Sequence, residues 1–360
     1  MRAGETSLRN KDIMSIAEPR YGWFANSFNK GKASIRLRLL GPMAALERRG
    51  IKIGRYSKRG AETYDAVIFS KSFSRSAVIA ARGAEAAGRA VIIDICDNMF
   101  DQADRRRNMA KRARIAEQLT RASIVTVSTA VLGTQLGAVM PEIADKLRII
   151  PDMLEDHAWG APGWADRIRL ARLRRFLASR PDALHCVWFG KSSGAASGFT
   201  HLDKAVRELE RFAQNHPITL TVIGDSRSRY ARASKGWGIP SHYMSWTLGG
   251  FFQALAAHRV AVLPVERNEY TAGKTINRPA TAIAAGLGVI ADSIESYEEL
   301  RPFIVLDDWQ GGLARYASGW EDEQVRLLSA RAHLDGRYGA EVIAGKWEAA
   351  LREVGSAPIL

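Results

Sequence analysis

Basic and carboxylate residues that could handle a charged substrate cluster in a few turns of this chain. The densest set lies in Pro264–Ala291, PVERNEYTAGKTINRPATAIAAGLGVIA. Ile276, Ala280, Ile283 and Ala284 recur at helical spacing, which predicts a helix with one buried face. Lys274, Thr275, Asn277 and Arg278 crowd its start; Asn277 is expected as the N-cap, and Pro279 falls in the first turn, where no amide hydrogen is required. A helix start carries unpaired N–H groups and the positive end of the dipole. Flanked by two bases, it suits a phosphate ester. Ordinary helix packing with solvated bases would produce the same pattern.

Other turns add to this set. In GKSSGAASGF, glycines 190, 194 and 198 would let backbone approach a ligand, and Lys191 supplies charge. In FNKGKASIRLRLL, Gly31, Lys32, Ser34 and Arg36 form a second glycine-containing turn into a helix, suited to an acceptor or a phosphate; Arg36 and Arg38 would otherwise be surface charges. Asp94 and Asp97 follow an apolar run, where carboxylates can orient or deprotonate a hydroxyl. Turns at strand ends also favour Asp for purely structural reasons. Glu266, with Glu269, precedes the first helix described and could contact sugar or ribose hydroxyls. Trp246 could line a nucleobase pocket or simply pack. The seven histidines form no metal-binding spacing, so no metal site is expected. Walker A, GxGxxG and GxSxG patterns are absent.

These turns need elements to hold them. Apolar runs Asp65–Phe69, Ala90–Ile95, Ser123–Val127 and Lys146–Ile150 predict buried parallel strands. Helical patterns lie near Ala33–Arg49, Ser74–Ala87, Asp104–Thr120 and Thr129–Val139. The alternation then breaks over Pro151–Pro181, which contains an arginine-rich helix, WADRIRLARLRRFL, with bases and apolar residues mixed around it. A second series has strands at His185–Phe189, Ile218–Ile223, Val260–Leu263, Val289–Ala291 and Phe303–Leu306. Its helices lie near His201–Gln214, Gly249–Ala257 and Thr275–Ala285, and two more follow over Glu321–Val354. The expected fold is α/β: two Rossmann-like domains facing each other across a cleft. The expected boundaries are an acceptor-side domain over residues 1–152, a linker with its basic helix over 153–183, a nucleotide-sugar donor domain over 184–335, and a closing helix over 336–360 that packs back toward the first domain.

The chain has 360 residues, a net charge of +14 and two unaccompanied cysteines. The charge calls for an anionic partner: a nucleoside-diphosphate compound, the inner face of a membrane, or nucleic acid. No apolar run is long enough to span a membrane, and the first residues lack a signal-peptide core. A cytoplasmic protein is expected, with peripheral contact at an anionic membrane admitted by the charge.

The second half resembles the donor domain of glycosyltransferases with the B-type (GT-B) fold, notably group 1-like bacterial enzymes. The residues that carry the resemblance are VWFGKSSG, PITLTVIGDS, SW before a helix, VAVLPVE and KTINRPATAIAAGLGVIA, in that order. In the first half, KASIRLRLLGPMAALERRG, AVIIDICDNMFD, SIVTVSTAVLGTQL and KLRIIPDML resemble the acceptor domain. GRYGAEVIAGKWEAAL resembles the closing helix. The resemblance implies sugar transfer from a nucleotide sugar, UDP- or GDP-linked, to a glycan, lipid-linked or other hydroxyl acceptor in bacterial surface-polysaccharide or glycan assembly. It implies no obligatory metal, so the departing diphosphate falls to Gly190, Lys191, Lys274, Thr275, Asn277 and Arg278, with Trp246 at the base. Asp94, Asp97 and Glu266 take the catalytic roles; Gly31, Lys32, Ser34 and Arg36 line the acceptor side. Many retaining members carry a Glu-x7-Glu pair, and alignment from the Gly286 turn places Gly273 and Thr281 there. That departure motivates an alternative, a catalytically inactive GT-B-like binding protein. A basic nucleic-acid-binding protein is a further alternative, motivated by charge alone; no specific nucleic acid is expected.

Overall fold

A computed structural model describes residues 20–100, 109–156, 159–193 and 198–355. Two six-stranded sheets organise it. The first contains β1 (Arg20–Phe24), β2 (Lys52–Arg55), β3 (Ala66–Ser70), β4 (Ala90–Ile95), β5 (Ile124–Val127) and β6 (Leu147–Ile149), in the order β2-β1-β3-β4-β5-β6. The second contains β7 (Leu184–Phe189), β8 (Ile218–Gly224), β9 (Ser241–Ser245), β10 (Val260–Leu263), β11 (Gly288–Ala291) and β12 (Val305–Leu306), in the order β12-β11-β10-β7-β8-β9. Every pairing is parallel. Helices cover both faces, which is why the central strands are continuously apolar rather than alternating.

The sequence reading missed three strands. β2 and β9 are edge strands, short and partly exposed, so they carry polar residues (KIGR, SHYMS) in place of an apolar run. β1 is interior, but Gly22 interrupts its apolar pattern. Helices Arg227–Ala233 and Trp309–Ser318 were also unanticipated. Residues 101–108, including the start of the helix expected from Asp104, lie outside the described residues, as do residues 194–197 in the middle of the glycine loop.

Each sheet reverses direction once. In the second sheet the chain starts at β7, runs outward to β9, and returns to the other side of β7 as β10. The turns after β7 and β10 therefore flank a switch point, where open α/β sheets form their ligand crevice. Those turns are Gly190–Ser193 and Pro264–Asn268, both singled out by residue type. In the first sheet β1 and β3 flank the equivalent point, bringing Lys32 and Lys71 to the same end.

Arginine-rich Trp164–Ala178 packs Leu170, Leu173 and Leu177 into the second domain's core. The final helix, Ala340–Gly355, returns to the first domain. There Trp347 meets Trp23 with ring centroids 4.9 Å apart, and both are buried.

Candidate active site

A cleft of about 1180 Å³ opens between the carboxyl ends of the two sheets. Gly31, Lys32, Ser34, Arg36, Asp97, Gly190, Lys191, Trp246, Glu266, Lys274, Thr275, Asn277 and Arg278 all line it. Asp94 does not.

The donor-side wall is built on helix Asn277–Ala284, with Pro279, Ala280 and Ile283 buried. Its N-cap is Ile276, not Asn277, and no side chain caps it. Asn277 is the first helical residue and reaches sideways: its Nδ2 donates to Asp152 of the first domain. Thr275 Oγ1 donates to the same Asp152 Oδ2 at 3.0 Å. Because Pro279 has no N–H and the Ala280 N–H bonds Ile276, the uncapped start can offer a ligand the amides of Asn277 and Arg278.

Arg278 is the most telling cation. Its Nη2 donates to the Phe189 carbonyl at 2.7 Å, and the guanidinium lies over Trp188 and Phe189 at 5.4 and 5.6 Å. Its Nε is buried without a hydrogen-bond partner. Burial pulls its pKa below the ordinary value, and only the Tyr297 hydroxyl opposes that shift. Gly190 takes φ +154°, a backbone conformation that side chains rarely adopt, and it lies against Trp188 and Arg278. No carboxylate pairs with this half-buried guanidinium among the described residues, and its buried, unpartnered Nε is costly until an anion joins it.

Lys274 is differently placed. Its Nζ pairs with Asp97 from the first domain, donates to Tyr270 Oη at 2.8 Å, and lies 4.0 Å from the Tyr270 ring. Asp97 also pairs with Lys71. Lys71 holds a left-handed backbone (φ +46°), an uncommon conformation for a residue with a side chain. Lys191, in the turn after β7 of the same domain, is exposed and lines the cleft.

Two expectations are corrected. Asp94 is a buried structural carboxylate. The sheet register sets Ser70 beside Asp94 and Asp94 beside Thr126, so both hydroxyls donate to it at 2.8 Å. Arg38 Nε adds bonds at 3.0 and 3.2 Å, leaving no route to an acceptor. Arg36 and Arg38 are not surface charges; they are 3% and 2% exposed. A π-helical turn, Arg36–Leu40, opens the helix enough for both to turn inward. Arg36 makes a bidentate pair with Glu155 at 2.7 and 2.6 Å, and Trp246 lies 5.5 Å from its guanidinium. Trp246 therefore joins the two walls, and it also packs against Phe251.

Sequence reasoning missed Asp152 and Asp225. Asp225 follows β8 and accepts from Ser192 N, Ser192 Oγ and Ser193 N at 2.7 to 2.9 Å, pinning the glycine turn. Bonds from those serines outweigh burial and hold its carboxyl at about 2. Its signal was GDS directly after a buried run. Asp152 had none, because its partners are distant in sequence.

The cleft's carboxylates divide clearly. Asp97 is held by lysines, Asp152 by Arg38 at 2.9 Å and by the donor loop, and Glu155 by Arg36. Glu266 is 66% exposed and meets only the His201 ring, 3.5 Å away, among the described residues. No three His, Cys, Asp or Glu side chains converge as a metal cluster among the described residues.

Solved structures share this architecture. HepE from Anabaena, in complex with UDP and glucose, matches with a TM-score of 0.65 at 13% identity, over 93% of this chain and all of that one. A UDP-forming α,α-trehalose-phosphate synthase from Burkholderia xenovorans matches with a TM-score of 0.59 at 11% identity, covering 89% and 84% of the two chains. A synthase of the same description and organism, in complex with glucose-6-phosphate, gives 0.58 at 12% identity, covering 87% and 81%. No family model and no curated protein matches the sequence. The fold is GT-B, that of glycosyltransferases built from two facing Rossmann-like domains.

Proposed function

We propose that the protein transfers a sugar from a nucleoside-diphosphate sugar to a hydroxyl acceptor. One observation carries the reading: Arg278, half-buried, with its Nε buried and unpartnered and no carboxylate beside it among the described residues, lies at an uncapped helix start beside Lys274 and Gly190 in the interdomain cleft. A diphosphate supplies the missing anion, and Lys191 closes over it from the lip.

In the reaction the acceptor oxygen bonds to the anomeric carbon while the bond from that carbon to the β-phosphate oxygen breaks. The electron pair leaves on the diphosphate. Arg278, Lys274 and the helix N–H groups stabilise that charge, the task a metal performs in other transferases. Glu266 is the carboxylate left to contact the sugar or take the hydroxyl proton. Asp97 aims Lys274, while Gly31, Lys32 and Ser34 border the acceptor side.

The similarity to a structure holding UDP and glucose favours a UDP-linked donor, with a GDP-linked one next. The acceptor would be a glycan or lipid-linked hydroxyl in bacterial surface-polysaccharide or glycan assembly, served from the cytoplasm. A second reading, a nucleotide-binding protein without transfer, is favoured by Gly273 and Thr281 at the paired-glutamate positions.

Calorimetric titration with UDP, GDP, dTDP and CMP, followed by assay of the matching nucleotide sugars for release of the free nucleotide, tests both. Selective binding with release supports transfer, and binding without release supports the second reading. No binding by any nucleotide rejects both.

A further inference from the structure

Helix Trp164–Ala178 presents two distinct faces, although its sequence reads as mixed. Leu170, Leu173 and Leu177 are buried against the second domain. On the opposite side, at 100° per residue, Trp164, Ile168, Ala171, Arg175 and Ala178 fall within about 80° of one another. Trp164 is 77% exposed and Ile168 43%. Arg167 and Arg174 border that stripe on one edge and Arg172 on the other, all exposed. Among the described residues, this helix's ion pair joins Arg169 to Asp166, and the four outward arginines have none.

Such a face is unusual on a protein surrounded only by water. Solvated helix faces usually carry both signs of charge, whereas this one joins two exposed apolar side chains to arginines alone. The combination fits a lipid–water interface, where an indole settles among headgroups and arginines reach lipid phosphates. The basic surface continues past the helix end, where Arg180 lies over Phe176 at 5.0 Å. The inward side of the helix is fixed to the second domain, where Asp166 accepts from Thr247 Oγ1 at 2.7 Å.

We propose that this face docks the protein on an anionic lipid surface. The proposal stands on the helix alone and does not depend on sugar transfer. A polynucleotide would feel the same arginines and find a stacking platform in Trp164, but Ile168, Ala171 and Ala178 offer it neither stacking nor hydrogen bonds.

The test is co-sedimentation of the full chain with phosphatidylcholine vesicles containing about one third phosphatidylglycerol, against phosphatidylcholine alone. The wild type should sediment with the anionic vesicles only, less so as salt rises. Trp164→Ala with Ile168→Ser, and separately Arg172→Glu with Arg175→Glu, should each weaken binding about tenfold or more while leaving the melting temperature unchanged. Failure of the wild type to sediment overturns the proposal, as does equal binding by either double variant. A labelled DNA duplex that binds the wild type, is lost in the arginine variant, and displaces the vesicles would assign the face to nucleic acid and equally overturn it.

Discussion

Thr275 Oγ1, at the head of the donor helix, donates to Asp152 Oδ2 of the first domain at 3.0 Å. Asp152 is in turn held through Oδ1 by Arg38 Nη1 at 2.9 Å, and Arg38 by Asp94. One chain of bonds therefore runs from the first sheet to the segment that carries Lys274 and opens the helix bearing Arg278. Thr275→Val and Asp152→Ala should be coupled, with an interaction energy of about 0.5–3 kcal/mol in a double-mutant cycle on urea unfolding. Additive effects would show that the contact does not hold the domains together.

Lys274 should matter for ligand more than for folding. Its partners Asp97 and Tyr270 line the cleft, and it is a third exposed. Lys274→Ala is expected to lower sugar transfer about 100- to 1000-fold, the range for one lost charge-stabilising donor. The urea midpoint should stay near wild type. Turnover close to wild type would remove this lysine from the diphosphate site.

Asp94 calls for the opposite outcome. Asp94→Asn leaves the buried Arg38 guanidinium with a weaker partner set, and breaking such a pair costs about 3–5 kcal/mol. Unfolding should shift strongly, while nucleotide affinity of the folded fraction is retained. Intact stability with lost activity would return Asp94 to a catalytic role.

Much of this was legible in the residues, for physical reasons. Strands β4 and β10 are buried on both faces, so continuous apolar runs marked them directly. The donor helix was legible because Ile276, Ala280 and Ile283 recur at helical spacing. Arg38 and Asp94 were misread because charge normally signals exposure, and their pairing joins residues 56 positions apart. Asp152 was invisible for the same reason: its partners Arg38, Thr275 and Asn277 converge only when the two domains face each other. In the arginine-rich helix, Leu170, Leu173 and Leu177 already defined an inner face, but the Trp164 and Ile168 stripe opposite masked the split.

Stability should also fall with mild acid. His258 is buried; its Nε2 meets Thr221 Oγ1 at 2.7 Å and its Nδ1 meets the Ala254 carbonyl at 2.8 Å. Burial lowers its pKa from 6.5 to about 4. The unfolded chain therefore takes up a proton near pH 6.5 that the folded protein refuses until about pH 4. This contribution is complete above the unfolded value and is lost as pH falls between the two, amounting to roughly 3 kcal/mol. Urea midpoints measured across that window should decline, and His258→Gln should flatten the slope. An unchanged slope would place the acid sensitivity elsewhere.

Glu266 offers the sharpest separation of binding from chemistry. The other cleft carboxylates are engaged by Lys71 and Lys274, by Arg38, by Arg36, or by Ser192 and Ser193. Glu266 alone faces the cleft with just the His201 ring nearby among the described residues. Glu266→Gln preserves shape and one acceptor oxygen but removes the charge and the capacity to accept a proton. If Glu266 takes the hydroxyl proton, kcat should drop about 100-fold or more while the nucleotide Kd stays unchanged. If it only orients the sugar, the loss should fall mainly in KM for the donor and be about tenfold. Wild-type values for both constants would exclude it from the reaction and leave the departing diphosphate as the remaining acceptor for the proton.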